Sequence, residues 1–220
     1  PIPPNSWYKN FNGSGQEPPR YIAVTNEPSM MRLFRGPRFI FNSDYMFTSR
    51  YAGEEDYFSG KGKLYTRRVW ESNFVANAPD MLLYGWKERG AGGINAMLEM
   101  ADNNTKSHIS EFPIGTYKKA HRHGPGVVIV IPAGEGFTVL WPQGKDKILV
   151  PWQEGSAFAP PNRWWHQHFN VGPTPARYLA IHALPALSTW SSREEVLAQD
   201  QIEYPDEDPW IRQTFEDELA

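Results

Sequence analysis

The chain has 220 residues, which is enough for one domain with a full hydrophobic core. Lys and Arg number 22 against 25 for Asp and Glu, so the formal net charge is −3 and the basic residues are scattered. This distribution argues against a nucleic acid or an anionic membrane as the partner. There is no cysteine, which excludes disulfides, thiolate metal ligands and a cysteine nucleophile, so any metal must be held by nitrogen and oxygen atoms.

No segment approaches the roughly 18 consecutive apolar residues of a membrane span. We therefore expect a soluble protein, and the lack of cysteine favours the cytoplasm. The sequence begins with Pro1 rather than Met, which leaves open a trimmed N-terminus. Aromatic residues make up 14% of the chain, and 20 Pro and 18 Gly interrupt it often. Short aromatic strands joined by turns, rather than a helical bundle, are typical of this mixture.

The N-terminal part, residues 1–92, is predicted to be an arm and an extension that packs on the main domain. Residues 1–20 are rich in Pro, Gly and Asn without any period, which indicates an arm. Its isolated aromatic rings suggest packing on another surface such as a neighbouring subunit, so we expect a homo-oligomer, a dimer or larger. Residues 21–87 alternate short apolar pieces with turn residues, which indicates mixed short helices and strands.

A Gly-rich break at 85–93 is followed by a series of apolar segments typical of strands. Gly, Pro and Asn residues separate them at regular intervals, as in a β-sandwich or β-barrel. We therefore predict a barrel over residues 93–186. Its strand-like segments are 94–101, 106–114, 127–133, 136–142, 147–152 and 176–185.

The C-terminal part, residues 187–220, is predicted to contain two short helices. Residues 191–199 begin with a Ser pair followed by Glu, and residues 206–219 carry acidic residues before Pro209. Both patterns are typical of helix N-termini, and proline is tolerated in a first turn. We expect these helices to clasp the outside of the barrel or to join an oligomer interface. No internal repeat is visible, so the chain holds one barrel.

Histidines are the residues in this sequence that most clearly indicate chemistry. All six fall between 108 and 182, and four lie in two short clusters at 120–124 and 164–170. His121 and His123 are two residues apart, so on an extended strand both rings lie on one face and can meet one ion. Imidazole binds Fe, Cu, Ni, Zn and similar ions, and His166 can supply a third nitrogen. The alternative is that these histidines are hydrogen-bonded core residues without a metal.

Both clusters sit within patterns that resemble the two sequence motifs of the cupin superfamily. The matching residues are Gly115, His121, His123 and Gly134 for the first motif, and Gly155, Pro161, His166 and Asn170 for the second. This resemblance implies a mostly β fold, namely a single cupin-type jelly-roll barrel with an N-terminal arm and short C-terminal helices. It also implies one divalent metal ion held by three histidines.

The chain departs from the general cupin pattern at a ligand position. Counting back seven residues from Gly134, the glutamate of the first motif is replaced by Val127. The remaining three-histidine set resembles the gentisate dioxygenase-like branch, although Arg163 and Gln167 stand where that branch commonly has Trp and Asp. Three neutral imidazoles leave the charge of an ion uncancelled and three adjacent coordination sites open. This favours an anionic, chelating substrate together with O2, and Fe(II) over Mn, Ni, Zn or Cu.

Further residues are predicted to act around the ion. His168 should share the inward face of His166 as a general acid or base, and His182 is a second candidate for a catalytic role. We expect Trp165, Val127, Arg163 and Gln167 to line the substrate pocket, Asn170 to support the strand behind the metal ligands, and His108 to be structural.

Three functions fit these residues. The favoured one is a non-haem Fe(II) dioxygenase, an oxidoreductase that acts with O2 on a small aromatic hydroxy acid or dicarbonyl. A second is an oxygen-independent, metal-dependent isomerase, lyase or decarboxylase. A third is a non-catalytic ligand-binding barrel. The fold alone does not choose among them, because one fold hosts many activities.

Overall fold

The protein is described by a computed structural model over residues 2, 7–42, 44, 55–56, 58–66, 68–72, 74–99, 105–124, 126–182 and 200–220. Twelve β-strands lie within these residues: β1 Lys63–Thr66, β2 Val69–Glu71, β3 Tyr84–Gly85, β4 Ile94–Glu99, β5 Lys106–Phe112, β6 Thr116–Tyr117, β7 Val127–Ala133, β8 Gly136–Trp141, β9 Ile148–Trp152, β10 Ala157–Phe158, β11 Trp165–Asn170 and β12 Ala176–His182. The helices are α1 Glu27–Leu33, α2 Pro37–Phe41 and α3 Pro209–Leu219, with 3-10 helices η1 Lys87–Arg89 and η2 Tyr204–Asp206.

Eight of the strands form two antiparallel sheets with interleaved order. One sheet contains β5-β12-β7-β10 and the other β6-β11-β8-β9. Apart from the β8–β9 hairpin, successive strands from β5 to β12 alternate between the two sheets, so most strands that are adjacent in a sheet are distant in sequence. This is the strand order of a jelly roll, the architecture of cupin barrels. The prediction of a mostly β, cupin-type fold is confirmed.

The predicted strand segments are all confirmed, because each contains one of β4, β5, β7, β8, β9 and β12. The sequence did not reveal β6 and β10, which have two residues each and are therefore too short to show alternation. No helix in the described part of the chain is both long and apolar enough to cross a membrane.

The larger sheet continues beyond the jelly roll into the N-terminal extension. β4 pairs with β5, and β2 pairs with β4 in parallel orientation. β1 pairs with β2, and β3 pairs with β4. The outer face of this sheet carries a buried apolar cluster of Leu83, Ala96, Leu98 and Ile109. By contrast, α1 and α2 contain no buried residue. Contact between the N-terminal arm and a second copy of the chain stays a prediction.

The space between the sheets has one apolar wall. In β7 the residues Val127, Ile129 and Ile131 alternate with more exposed neighbours and pack against Phe112 and Tyr178 of the same sheet. This alternation follows from the two-residue period of a strand. The wall leaves the polar side chains of β5, β11 and β12 to face each other across the remaining space.

The second sheet is covered on its outside by helix α3. Asp208 caps the helix by accepting a hydrogen bond from the backbone of Trp210, and Pro209 occupies the first turn. Ile211 and Phe215, four residues apart, are the buried residues of the helix and pack on the outer residues of β8 and β11. The prediction of a helix within 206–219 is confirmed, and this helix packs on the outside of the barrel. The predicted helix at 191–199 lies outside the described residues.

Candidate metal centre

Three histidines converge between the sheets. His121 follows β6 and forms a backbone bridge with His166 of β11, which brings the two rings together. The Nε2 atoms of His121 and His166 lie 3.1 Å apart. With His123, each ring offers one nitrogen, and these nitrogens all lie within 4.8 Å of one another. The structure therefore brings together the three residues predicted to be metal ligands.

The hydrogen bonds of the two closest rings fix which nitrogens are free. His166 Nδ1 is 3.1 Å from the carbonyl oxygen of Trp164, and His121 Nδ1 is 3.4 Å from that of Lys119. A carbonyl only accepts, so the tautomer that satisfies both contacts carries the proton on each Nδ1 and presents a lone pair on each Nε2. Two lone pairs in contact repel each other unless a cation lies between them. Neighbouring nitrogens at ~2.1 Å from an octahedral ion are about 3.0 Å apart, which fits the observed spacing.

Burial keeps these rings neutral. It lowers the pKa of His121 and His166 well below the usual value, and lowers that of His123 to about 4, with the positive charge of Arg89 as a second cause for His121 and His123. A neutral imidazole is the form that binds a metal. The donor set is therefore ready for a divalent cation without loss of a proton.

Val127 lies on the same inner surface as the histidines. It is 3% exposed and pairs in register with His182 of the neighbouring strand. A valine offers no ligand atom, so the group found around the histidines consists of nitrogen donors alone. That Val127 lines a substrate pocket stays a prediction, and the three-histidine donor set carries no negative charge.

His168 also faces the space between the sheets. Its Nδ1 is 2.8 Å from the hydroxyl of Thr138, which accepts a hydrogen bond of 2.9 Å from Trp152 Nε1. Thr138 can therefore donate its own proton to His168 Nδ1, which places the proton of a neutral His168 on Nε2. Burial lowers the pKa of His168 to about 3, with the charge of Lys118 as a further cause.

His182 completes the row of histidines on the opposite sheet. Its ring centroid is 5.3 Å from that of His123, and its Nε2 is 3.1 Å from Nδ1 of His108. His108, predicted to be structural, is thus the hydrogen-bond partner of a candidate catalytic residue. The structure places His168 and His182 beside the three-histidine group, as the sequence predicted.

Two residues predicted to line the substrate pocket lie on the opposite face of β11. Trp165 donates a 2.8 Å hydrogen bond to Gln143, and Gln167 donates one of 3.2 Å to Glu207, both outside the barrel. Alternation along a strand gives the reason, because turning His166 and His168 inward turns Trp165 and Gln167 outward. Their assignment to the substrate pocket is corrected.

Arg163 is also not free to bind a substrate. It has a left-handed backbone with φ of 64°, and its guanidinium holds both carboxylate oxygens of Asp200 at 2.9 and 3.0 Å. Arg122 binds the same carboxylate at 2.9 Å. Asp200 was not predicted, because it lies far from both motifs in sequence. These arginines tie the C-terminal segment to the loop that carries His123 and to the turn that precedes β11.

Asn170 holds the end of β11. Its amide donates to the carbonyls of Phe112, Pro113 and Thr174 at 3.4, 3.1 and 2.9 Å, and its carbonyl accepts from the backbone of Gly172 at 3.1 Å. The residue therefore fastens the strand that carries His166 and His168, as the sequence predicted.

Sequence reasoning missed two cations next to this site. Lys118 is completely buried, and its backbone N–H donates to the carbonyl of His168 at 3.0 Å. Arg89 of η1 has the largest charge effect on the pKa of both His121 and His123. The Gly-rich break around Arg89 had been interpreted only as a boundary. Lys118 lies in a KK pair that gave no sign of which lysine points inward.

No family sequence profile matches the chain, and no curated protein shows significant similarity to it. Solved structures match over about half of it. Oxalate decarboxylase of Bacillus subtilis, an enzyme with Mn(II) centres, has a TM-score of 0.41 and 15% identity over 50% of this chain and 33% of its own. A predicted oxalate decarboxylase from Thermotoga maritima has a TM-score of 0.39 and 22% identity over 49% of this chain and 96% of its own. CapF in complex with the inhibitor 3-isopropenyl-tropolone has a TM-score of 0.39 and 14% identity over 46% of this chain and 30% of its own. The matched region thus spans a third of the Bacillus enzyme.

Proposed function

We propose that this protein is a metal-dependent enzyme that binds one divalent ion, Fe(II) in the first place, through His121, His123 and His166. The observation that carries the proposal is the 3.1 Å contact between two imidazole nitrogens whose partner nitrogens face backbone carbonyls. Such a pair of lone pairs in a buried site is stabilised by a cation. Mn, Ni, Zn and Cu remain alternatives, because nitrogen donors accept all of them.

We further propose that the reaction is an oxygenation of a small chelating substrate, such as an aromatic hydroxy acid or a dicarbonyl, in the manner of gentisate dioxygenase-like cupins. A bound ion would supply the charge and the adjacent open positions that bring such a substrate and O2 together. The supporting observation is the absence of a carboxylate at Val127. His168 and His182 would hold the substrate, because each neutral imidazole can form a hydrogen bond with a substrate hydroxyl or carboxylate.

A second candidate is an oxygen-independent isomerase, lyase or decarboxylase. It is favoured by the number of histidines around the site, because His108, His168 and His182 lie beside the three ligands and none of them is needed to hold the ion. Proton transfer between such side chains and a substrate requires no oxygen. The substrate class is the same in both cases, so oxygen dependence separates them.

Elemental analysis of protein purified without chelator tests the metal. We expect about one equivalent of a transition metal per chain and its loss in His121→Ala. His108→Ala is the matched control, since this histidine lies in the same barrel outside the three-ligand group and its removal should leave the metal content unchanged. Protein without metal above trace, or equal loss in both variants, would count against the site and favour a non-catalytic barrel.

Oxygen consumption tests the reaction. The metal-loaded, reduced protein should consume O2 with at least one compound of a panel of hydroxybenzoates and diketones. Turnover of such a compound under strict anaerobiosis would decide for the second candidate. Metal-loaded protein that does neither across the panel would contradict both reactions while leaving the metal site intact.

A further inference from the structure

A buried lysine without a partner lies beside the candidate metal centre. Lys118 is 0% exposed, and its Nζ has no hydrogen-bond partner among the described residues. Three aromatic rings surround it instead, with centroids at 5.3 Å for Tyr178, 5.4 Å for Phe112 and 5.7 Å for Trp86. A buried ammonium that makes none of its three hydrogen bonds is costly, so a position of this kind needs an explanation.

Arg89 lies near the same Trp86 ring. Its guanidinium carbon lies 5.2 Å from the centroid of the Trp86 ring, and its Nη1 donates to Gln201 at 2.9 Å. Its Nε is buried and has no partner among the described residues. Lys118 and Arg89 thus share one aromatic ring, and each keeps a buried donor unused.

Neither cation forms an ion pair with a described carboxylate, although the charge of the neighbouring Glu88 raises the pKa of Arg89. Glu111 is the one carboxylate that raises the pKa of Lys118, and its own oxygen is committed to Arg177 at 2.6 and 2.8 Å. Burial and the charge of Arg89 together lower the pKa of Lys118 to about 7. An anion placed between the two donors would restore the charge balance and use both N–H groups.

We propose that Lys118 and Arg89 form a subsite that binds a carboxylate of the substrate, next to the three-histidine group. The backbone N–H of Lys118 donates to the carbonyl of His168, and Arg89 donates to Gln201, which forms a backbone bridge with His121. These contacts place both cations beside the histidines. This subsite adds a carboxylate-binding position to the proposed function. That the same substrate also reaches the ion rests on the proposed metal site. The substrate class is then narrowed to organic acids, with neutral analogues disfavoured.

The local backbone is shaped around the lysine. A Cβ on Gly93 would lie 3.1 Å from Lys118 Nζ, so this glycine leaves room for the amine. The preceding residues Gly90, Ala91 and Gly92 all have left-handed φ angles of 74°, 58° and 61°. Ala91 adopts this conformation without the freedom of a glycine, which costs energy. The segment that carries Arg89 is therefore held in a strained turn against the barrel.

Calorimetric titration with benzoate and its neutral isostere benzamide tests the subsite. We expect the wild-type protein to bind benzoate at least tenfold more tightly than benzamide, both as purified and after chelation. Measuring chelated protein matters, because a carboxylate could otherwise bind the ion directly. Lys118→Met should abolish the preference, and Arg89→Gln should reduce it at least threefold. Lys119→Met is the matched control, because that amine pairs with Glu203 at 2.5 Å, and it should keep the preference.

Thermal unfolding separates a binding role from a structural one. If Lys118 served only the fold, its replacement should lower the melting temperature. If it serves binding, Lys118→Met should keep or raise the melting temperature, because an unpaired buried charge is removed. A wild-type protein that binds both compounds equally or neither, or a folded Lys118→Met that keeps the preference, would overturn the subsite. A clear benzoate preference in protein that holds no metal would support the subsite and overturn the metal proposal.

Discussion

Val127→Glu introduces a carboxylate at the position where the general cupin motif carries a ligand. Val127 is 3% exposed, so the new side chain would be almost completely removed from water. Unfolded Glu has a pKa of about 4.3 and each pKa unit corresponds to about 1.36 kcal/mol, so keeping this group neutral at pH 7 costs about 3.7 kcal/mol. In a domain of this size that lowers the melting temperature of metal-free protein by roughly 10 °C.

A divalent ion should reverse this penalty. A carboxylate that coordinates the ion binds in its charged form, so metal binding should stabilise Val127→Glu more than it stabilises the wild type. The matched control is Val127→Gln, which has the same shape and a buried amide but no charge. We expect the metal-induced rise in melting temperature to be largest for Val127→Glu and to be similar in Val127→Gln and wild type.

Turnover of a chelating acid by the same variants tests how the net charge of the metal site affects the reaction. A carboxylate ligand lowers the net charge of the site and occupies one open position, so Val127→Glu should bind metal more tightly and turn over a chelating acid more slowly. Equal metal-induced stabilisation of Val127→Glu and Val127→Gln would refute the idea that position 127 faces the ion.

Three further substitutions test the surroundings of the site. Burial opposes ionisation of Asp200, but its hydrogen bonds with Arg163 and Arg122 outweigh this and lower its pKa. Its contribution is thus present above the unfolded pKa of about 3.9 and lost as the pH falls through the lowered value. Asp200→Asn should cost about 1 kcal/mol in urea unfolding at neutral pH and less near pH ~3. Phe215→Ala should cost about 3–5 kcal/mol in the same assay, because the ring is buried beneath α3. Asn170→Ala should cost about 2–3 kcal/mol with metal content retained, since it unties a strand end but removes no ligand.

The barrel could be predicted from the sequence because its signals are local. Each of the six predicted strands is an apolar segment bounded by Gly, Pro or Asn turns, and the spacing of the two histidine clusters implies one ion. The two-residue period also predicts the orientation of β11: with His166 and His168 inside the barrel, Trp165 and Gln167 lie outside it, contrary to their assignment to the pocket.

The remaining residues depend on long-range contacts. Asp200 reaches Arg122 across 78 positions of the sequence, and Arg89 reaches Gln201 across 112. A lone acidic or basic residue in a loop carries no sign of such a partner, because loop charges are usually solvated. Lys118 could be found only once the structure showed that its amine is buried and without a partner.

Binding of the ion and binding of the acid should be coupled. The ion adds positive charge to a space that already holds Lys118 and Arg89, and the donor set around it is three neutral histidines. An anion on Lys118 offsets this repulsion, so benzoate should raise the affinity for metal, and reciprocity requires metal to raise the affinity for benzoate by the same factor. Couplings of this kind are commonly about 5- to 150-fold. Lys118→Met should bind metal more tightly than wild type in the absence of benzoate and show little coupling. Equal metal affinity with and without saturating benzoate would mean that the two sites do not sense each other's charge.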